Sequence, residues 1–211
     1  MFRILLVIFV LFTGCKSLSN LKGYQEIDRL TTSILLIQLD FPQQRIDLLK
    51  EMELDRKANR LKQKHERHHI KLVKGFNFFK FCPHYFYYSD PEAGNLYDEN
   101  LKLYDEALNL LKFRLKDDNF YVIRFTTKQF DDGLDYEELK EGLRIYKADG
   151  SAMPFGFPDF VPMTNYGAQK YYENTIKVLD KRLKMYHKEH IRFKKYNARK
   201  NKKDLKGNSK S

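Results

Sequence analysis

The chain has 211 residues, 42% hydrophobic and 15% aromatic, which excludes an intrinsically disordered protein. Its 39 Lys and Arg exceed its 28 Asp and Glu, for a net charge of +11, but the excess sits in one place. Residues 177–211 hold fourteen basic residues against three acids, while the other 176 hold twenty-five of each, so only the C-terminus asks for an anionic partner.

Met1-Phe2-Arg3 precedes an unbroken apolar run, Ile4 to Phe12, and then Thr13-Gly14-Cys15. One positive charge, a short apolar stretch and small residues form the pattern of a secretory signal. The run is too short for a membrane-spanning helix, which needs about 20 apolar residues. The cysteine directly after Thr-Gly resembles the lipobox of bacterial lipoproteins, although Phe12 stands where leucine is usual. This resemblance covers residues 1–15 only. It implies removal of residues 1–14, diacylation of Cys15 as the mature N-terminus, and anchoring in the cell envelope. Lys16, rather than Asp, after the cysteine implies the outer membrane. Cys82 is then the one remaining thiol, so no intramolecular disulfide is expected and stability must come from the core. The partners implied are the membrane itself and anionic headgroups or envelope polymers, with room for a protein partner and none for nucleic acid. Each Lys or Arg near an anionic membrane contributes about 1 kcal/mol. The plainer reading of residues 197–211 is a solvated, disordered basic tail.

Residues 15–31 are polar and mixed, as in a tether. Ile34-Leu35-Leu36-Ile37-Gln38-Leu39 predicts a strand buried on both faces. Asp40 and Gln43 have capping-box spacing, with Pro42 in the first turn, and predict a helix to Lys74 that Gly75 stops. Phe76 to Tyr88 is an aromatic block that predicts a strand at an edge or bulged at Pro83. A second helix is expected over Tyr97 to Lys116, then a strand from Phe120 to Thr126. Residues 128–142 are acidic, with a helical turn expected at Asp135 to Lys140, followed by a strand from Leu143 to Lys147 and a turn at Asp149-Gly150. Pro154 to Phe160 is expected to lie extended and to sink Phe155, Phe157 and Phe160 into the core. The last helix is expected from Tyr166 toward Asn197, roughly 45 Å long, with its basic end projecting.

Each helix carries an apolar stripe at four- and three-residue steps. The stripes are Leu54, Ala58, Leu61, His65, His68 and Leu72; Tyr97, Leu101, Tyr104, Leu108, Leu111 and Leu115; and Tyr172, Ile176, Leu179, Leu183, Tyr186, His190 and Phe193. The order β-α-β-α-β-β-α implies an α/β or α+β domain over 32–196, with a single mixed sheet of about four strands and three helices.

Three groups of residues carry chemical possibilities. His65-Glu66-Arg67-His68-His69 matches H-E-x-x-H on a predicted helix and resembles the zinc-peptidase signature. That resemblance implies His65 and His69 as zinc ligands and Glu66 as the base acting on metal-bound water. The glycine and third histidine of the extended motif are absent, Glu92 or Glu99 would have to supply a third ligand, and the surrounding lysines oppose a dication. His187 and His190 on the last helix could join His65 or His68 to make a metal- or pH-sensing module. The plain reading makes all of these wet seam positions. Cys82 and His84 could form a thiolate pair, but a cysteine among phenylalanines reads as core. The aromatic block itself suits sugar stacking or, by default, core packing. The expectation is an envelope lipoprotein with a structural or binding role, no cofactor and no catalytic residue; the alternatives are the zinc hydrolase and the histidine sensor.

Overall fold

The structure is a computed structural model that describes residues 22–40, 42–89, 101–112, 115, 119–131, 137–154, 156–163 and 170–208. The signal segment, Cys15, Glu92, Glu99 and Phe155 lie outside these residues. Strand β1 (Ile34–Asp40) is the centre of a six-stranded sheet of order β3-β2-β1-β4-β5-β6. It runs parallel to β2 (His84–Ser89) on one side and to β4 (Phe120–Asp131) on the other. β3 (Leu103–Tyr104), β5 (Glu137–Lys147) and β6 (Phe160–Pro162) complete the sheet antiparallel to their neighbours. The mixed α/β class is as expected, with six strands rather than about four and four helices rather than three among the described residues. A continuous apolar strand belongs at such a centre because both of its faces are covered.

Leu35, Ile37 and Leu39 of β1 face one layer, where they meet Phe86, Ile123, Leu143 and Ile145 from the neighbouring strands. Helices α1 (residues 22–32), α3 (Asp55–Phe76) and α4 (Tyr171–Asn208) close that layer with Ile27 and Leu30, Leu72 and Phe76, and Ile176, Leu179 and Leu183. The α1 helix occupies part of the expected tether. Its Glu26 is buried, accepts a 2.6 Å bond from the Tyr121 hydroxyl and pairs with Lys147 at 2.9 Å. Burial opposes ionisation of Glu26, yet the Tyr121 and Lys147 bonds outweigh it and hold the carboxyl below the usual range.

The long first helix expected from Asp40 is two helices, α2 (Gln43–Glu51) and α3. They are parted by Glu53 at φ +57°. Glu53 N–H donates to the Lys50 carbonyl and Leu54 N–H to that of Leu49, which is the helix-ending bond pair usually built around glycine. No side chain caps α2, so the capping-box expectation fails; Gln43 instead donates to Asp47 within the helix. Gly75 lies inside α3 rather than after it. A Cβ there would stand 2.7 Å from Ile176 Cδ1, so the glycine lets α3 and α4 approach closely.

Pro83 precedes β2, an interior strand, and offers its carbonyl to Leu35 N–H at 2.9 Å. The expected second helix is replaced, over 101–112, by β3 and a turn. Asp105 organises that turn by accepting from the backbone N–H groups of Ala107 and Asn109. Leu101, Leu111 and Leu115 are half-buried, packed against the cluster of Leu36, Tyr87 and Val122 on the sheet's second face. No helical turn occurs at 137–140, which begins β5. The Asp149-Gly150 turn is present, with Gly150 at φ +78°. Phe157 and Phe160 are buried as expected. α4 is 38 residues long and continues through 197–208, where a disordered tail was expected.

Candidate functional site at the parting of two strands

The β1–β4 ladder ends at Ile37↔Ile123. Beyond it, β1 stays with β2 to Asp40↔Ser89, while β4 follows β5 out to Asp131↔Glu137. The two parallel strands therefore separate at their carboxyl ends. In open α/β sheets this is where ligands bind, because no ladder fills the crevice. A cleft of about 310 Å³ occupies the gap. Gln38 and Asp40 line it from β1, Phe125 and Thr127 from β4, and Glu141 from β5. Its roof is α3, through His65, His68, His69 and Leu72, and the first turn of α4, through Tyr171 and Tyr172.

The histidines belong to this cleft because a helix brings positions one turn apart onto one face. The His65 ring lies 6.2 Å from that of His69 and 6.5 Å from that of His68, centre to centre. His69 is 6% exposed, and its Nε2–H donates to the Asp40 carbonyl at 2.8 Å, since a carbonyl can only accept. In the neutral ring Nδ1 is then the acceptor. His68 Nδ1 and the Tyr172 hydroxyl form a 2.9 Å hydrogen bond that ties α3 to α4. Tyr172 is in turn braced edge-on by Phe125 and Tyr171. Burial pushes His69 down from its ordinary value, only partly opposed by the Asp40 bond. Burial, with the charges of Lys64 and Lys71, does the same to His68. Both rings are thus neutral at pH 7, and the cleft lining also includes the acidic side chains of Asp40 and Glu141.

The zinc-peptidase arrangement is only partly assembled. His65 and His69 do share the cleft, but Glu66 is half exposed, does not line it and faces Lys62 at 4.0 Å. Among the described residues no group of three His, Cys, Asp or Glu is placed to hold a metal ion. The four-histidine sensor is not brought together either. His68 meets the start of α4 at Tyr172, whereas His190 lies eighteen residues along, roughly 27 Å away.

His187 and His190 instead converge on Asp28 of α1. His190 Nε2 bonds its carboxylate at 3.0 Å, His187 Nε2 lies 3.6 Å from it, and Lys194 also donates. Tyr24 stacks on the His190 ring, 4.7 Å between centres. Desolvation opposes ionisation of Asp28, but the Lys194 and His190 bonds prevail and hold its carboxyl below the usual range. This cluster fastens α1 to α4.

Cys82 is buried, and burial with nearby Asp180 pushes its thiol up to about 12, so it is no nucleophile. His84 packs among Phe76, Phe79 and Phe86. The aromatic block is thereby mostly core. Tyr171, Tyr172, Phe125 and Glu141 were missed as site residues. Tyr171 and Tyr172 open α4, whereas Phe125 and Glu141 lie inside β4 and β5 and carry no local signal. Comparison with protein families, curated proteins and solved structures finds no match to this chain.

Proposed function

We propose that the protein is a bacterial envelope lipoprotein, held by acyl chains on Cys15, that binds a small polar ligand in the cleft between β1 and β4. The observation that carries the binding role is the early end of the β1–β4 ladder, which leaves a crevice lined by polar groups and aromatic rings. Aromatic walls (Phe125, Tyr172) suit a ligand with a flat or apolar face. Asp40 and Glu141 accept hydrogen bonds from hydroxyl or amino groups, and the neutral histidines both donate and accept. A sugar-like or amino-bearing solute fits this chemistry. A binding role is preferred over hydrolysis because Glu66, the base the peptidase reading needs, turns to Lys62 outside the cleft.

The test is a thermal-denaturation screen against sugars, amino acids, nucleosides and Zn²⁺. A true ligand at 100 times its Kd stabilises by about 2.7 kcal/mol, and Tyr172→Ala removes the gain. No stabilising solute in any class, or stoichiometric Zn²⁺ that survives dialysis, overturns the reading. The anchor is tested separately: the acylated protein stays in the membrane fraction at high salt, whereas Cys15→Ser is released there.

A further inference from the structure

α4 has a second periodicity that its core contacts do not use. Lys177, Lys181, Lys184, Lys188, Arg192, Lys195, Arg199, Lys202 and Lys206 recur at steps of four and three residues. That spacing puts the nine positions on one face of the helix, roughly 43 Å from first to last. The face lies opposite the buried row of Ile176, Leu179 and Leu183, and the first seven of its members are exposed. Lys177 is paired with Glu173, and Lys184 with Asp180 at 2.6 Å. Val178, Met185 and Tyr196, spaced by seven and eleven residues, run alongside the stripe and are 41%, 53% and 67% exposed. A row of cations flanked by exposed apolar side chains is the make-up of a helix that lies on a charged lipid surface.

The position of this face identifies what it meets. The chain enters the body at α1, whose Tyr24 contacts Tyr186, His190 and Phe193 of α4. That is also where α4 leaves the body, because residues 191–200 are exposed apart from half-exposed Asn197. Residues 15–21 separate Cys15 from α1, and seven residues span at most about 25 Å. An anchor on Cys15 therefore keeps the departing end of α4 within a short distance of the bilayer.

We infer that the basic stripe of α4 is a membrane-binding surface that lies on anionic phospholipid headgroups beside the acyl anchor, so that the protein is held at two points. Diacylation fastens the N-terminus, and a basic surface adds a second, salt-sensitive contact with anionic headgroups. The inference rests on the lipoprotein reading for the choice of a bilayer as partner.

The experiment uses the mature chain, residues 15–211 with Cys15→Ser, and flotation with vesicles of neutral lipid alone or with anionic phospholipid. Binding is expected only to the anionic vesicles and to weaken with salt. Lys195→Gln, Arg199→Gln, Lys202→Gln and Lys206→Gln together lower it about a thousandfold, at the contribution expected for each cation near the surface. Glutamine preserves helix propensity, so the circular dichroism stays unchanged. Neutralising Lys50, Arg56, Lys57 and Arg60, away from the stripe, leaves most of the binding in place. Equal loss in both variants, or no preference for anionic vesicles, overturns the inference, as does binding confined to soluble polyanions. Mass analysis of the processed protein for acyl chains on Cys15 reports on the anchor independently, so the two failures are distinguishable.

Discussion

The two ends of the helical layer use the same residue types for different purposes. At the cleft, His68 and His69 are partnered by a tyrosine hydroxyl and a backbone carbonyl, and burial keeps both neutral. At the other end, His187 and His190 converge on the Asp28 carboxylate, with Lys194 beside them. The lesson is that a histidine's role is set by what it faces. Burial leaves a neutral ring at a cavity wall, whereas the Asp28 carboxylate gathers two rings and the Lys194 ammonium into one fastening.

The largest effect expected from breaking this contrast is at the α1 end. Leu30 is fully buried, so Leu30→Ala should cost about 2–5 kcal/mol in urea unfolding. If residues 22–32 were a tether, the change would stay within about 0.5 kcal/mol. At the cleft end, Gly75→Leu drives a side chain into Ile176 and the Tyr172 backbone and should cost about 1–3 kcal/mol. It should also abolish ligand-induced stabilisation, because Tyr172 is displaced. Asp28→Asn removes the charged acceptor shared by His190 and Lys194. With the Asp28 side chain 35% exposed, solvent screening limits the loss to about 1 kcal/mol.

The smallest effect concerns pH, and it separates the two ends. His68 and His69 have lowered values when folded, so the unfolded chain takes up protons first. Their contribution is intact above the unfolded value near 6.5 and declines as pH falls through it. The double variant His68→Asn, His69→Asn should flatten that decline in unfolding titrations. Asp28 and Glu26 also have lowered values, but as acids. Their stabilisation is present above 3.8 and 4.5 and is lost only as pH falls through their still lower folded values. A stability profile with no change between pH 7 and 5 would contradict the placement of the two histidines.

Much of the strand framework could be read from the chain, because β1 and the start of β4 are apolar runs whose burial needs no distant partner to be recognised. The long basic α4 was equally evident. The first site clue, histidines at one-turn spacing, pointed to the right face of α3, but the zinc chemistry attached to it does not follow. Glu66 is adjacent to His65 in sequence and, by helix geometry, points elsewhere.

What the sequence by itself determined is which residues seek burial and with what period: the two-sided strand at 34–39, the apolar row of α4 and the leucines between 101 and 115. Tertiary structure alone decided what those residues meet. Three apolar positions in 22–32 were too few to announce a helix, but packing against α4 and the Glu26–Tyr121 bond holds one there. Leu101, Leu111 and Leu115 had helical spacing and ended on a sheet face, where Asp105 could satisfy the turn's N–H groups. Periodicity is a local property of the chain, whereas the cleft is a property of two ladders that stop at different places. That difference arises only when distant strands pair.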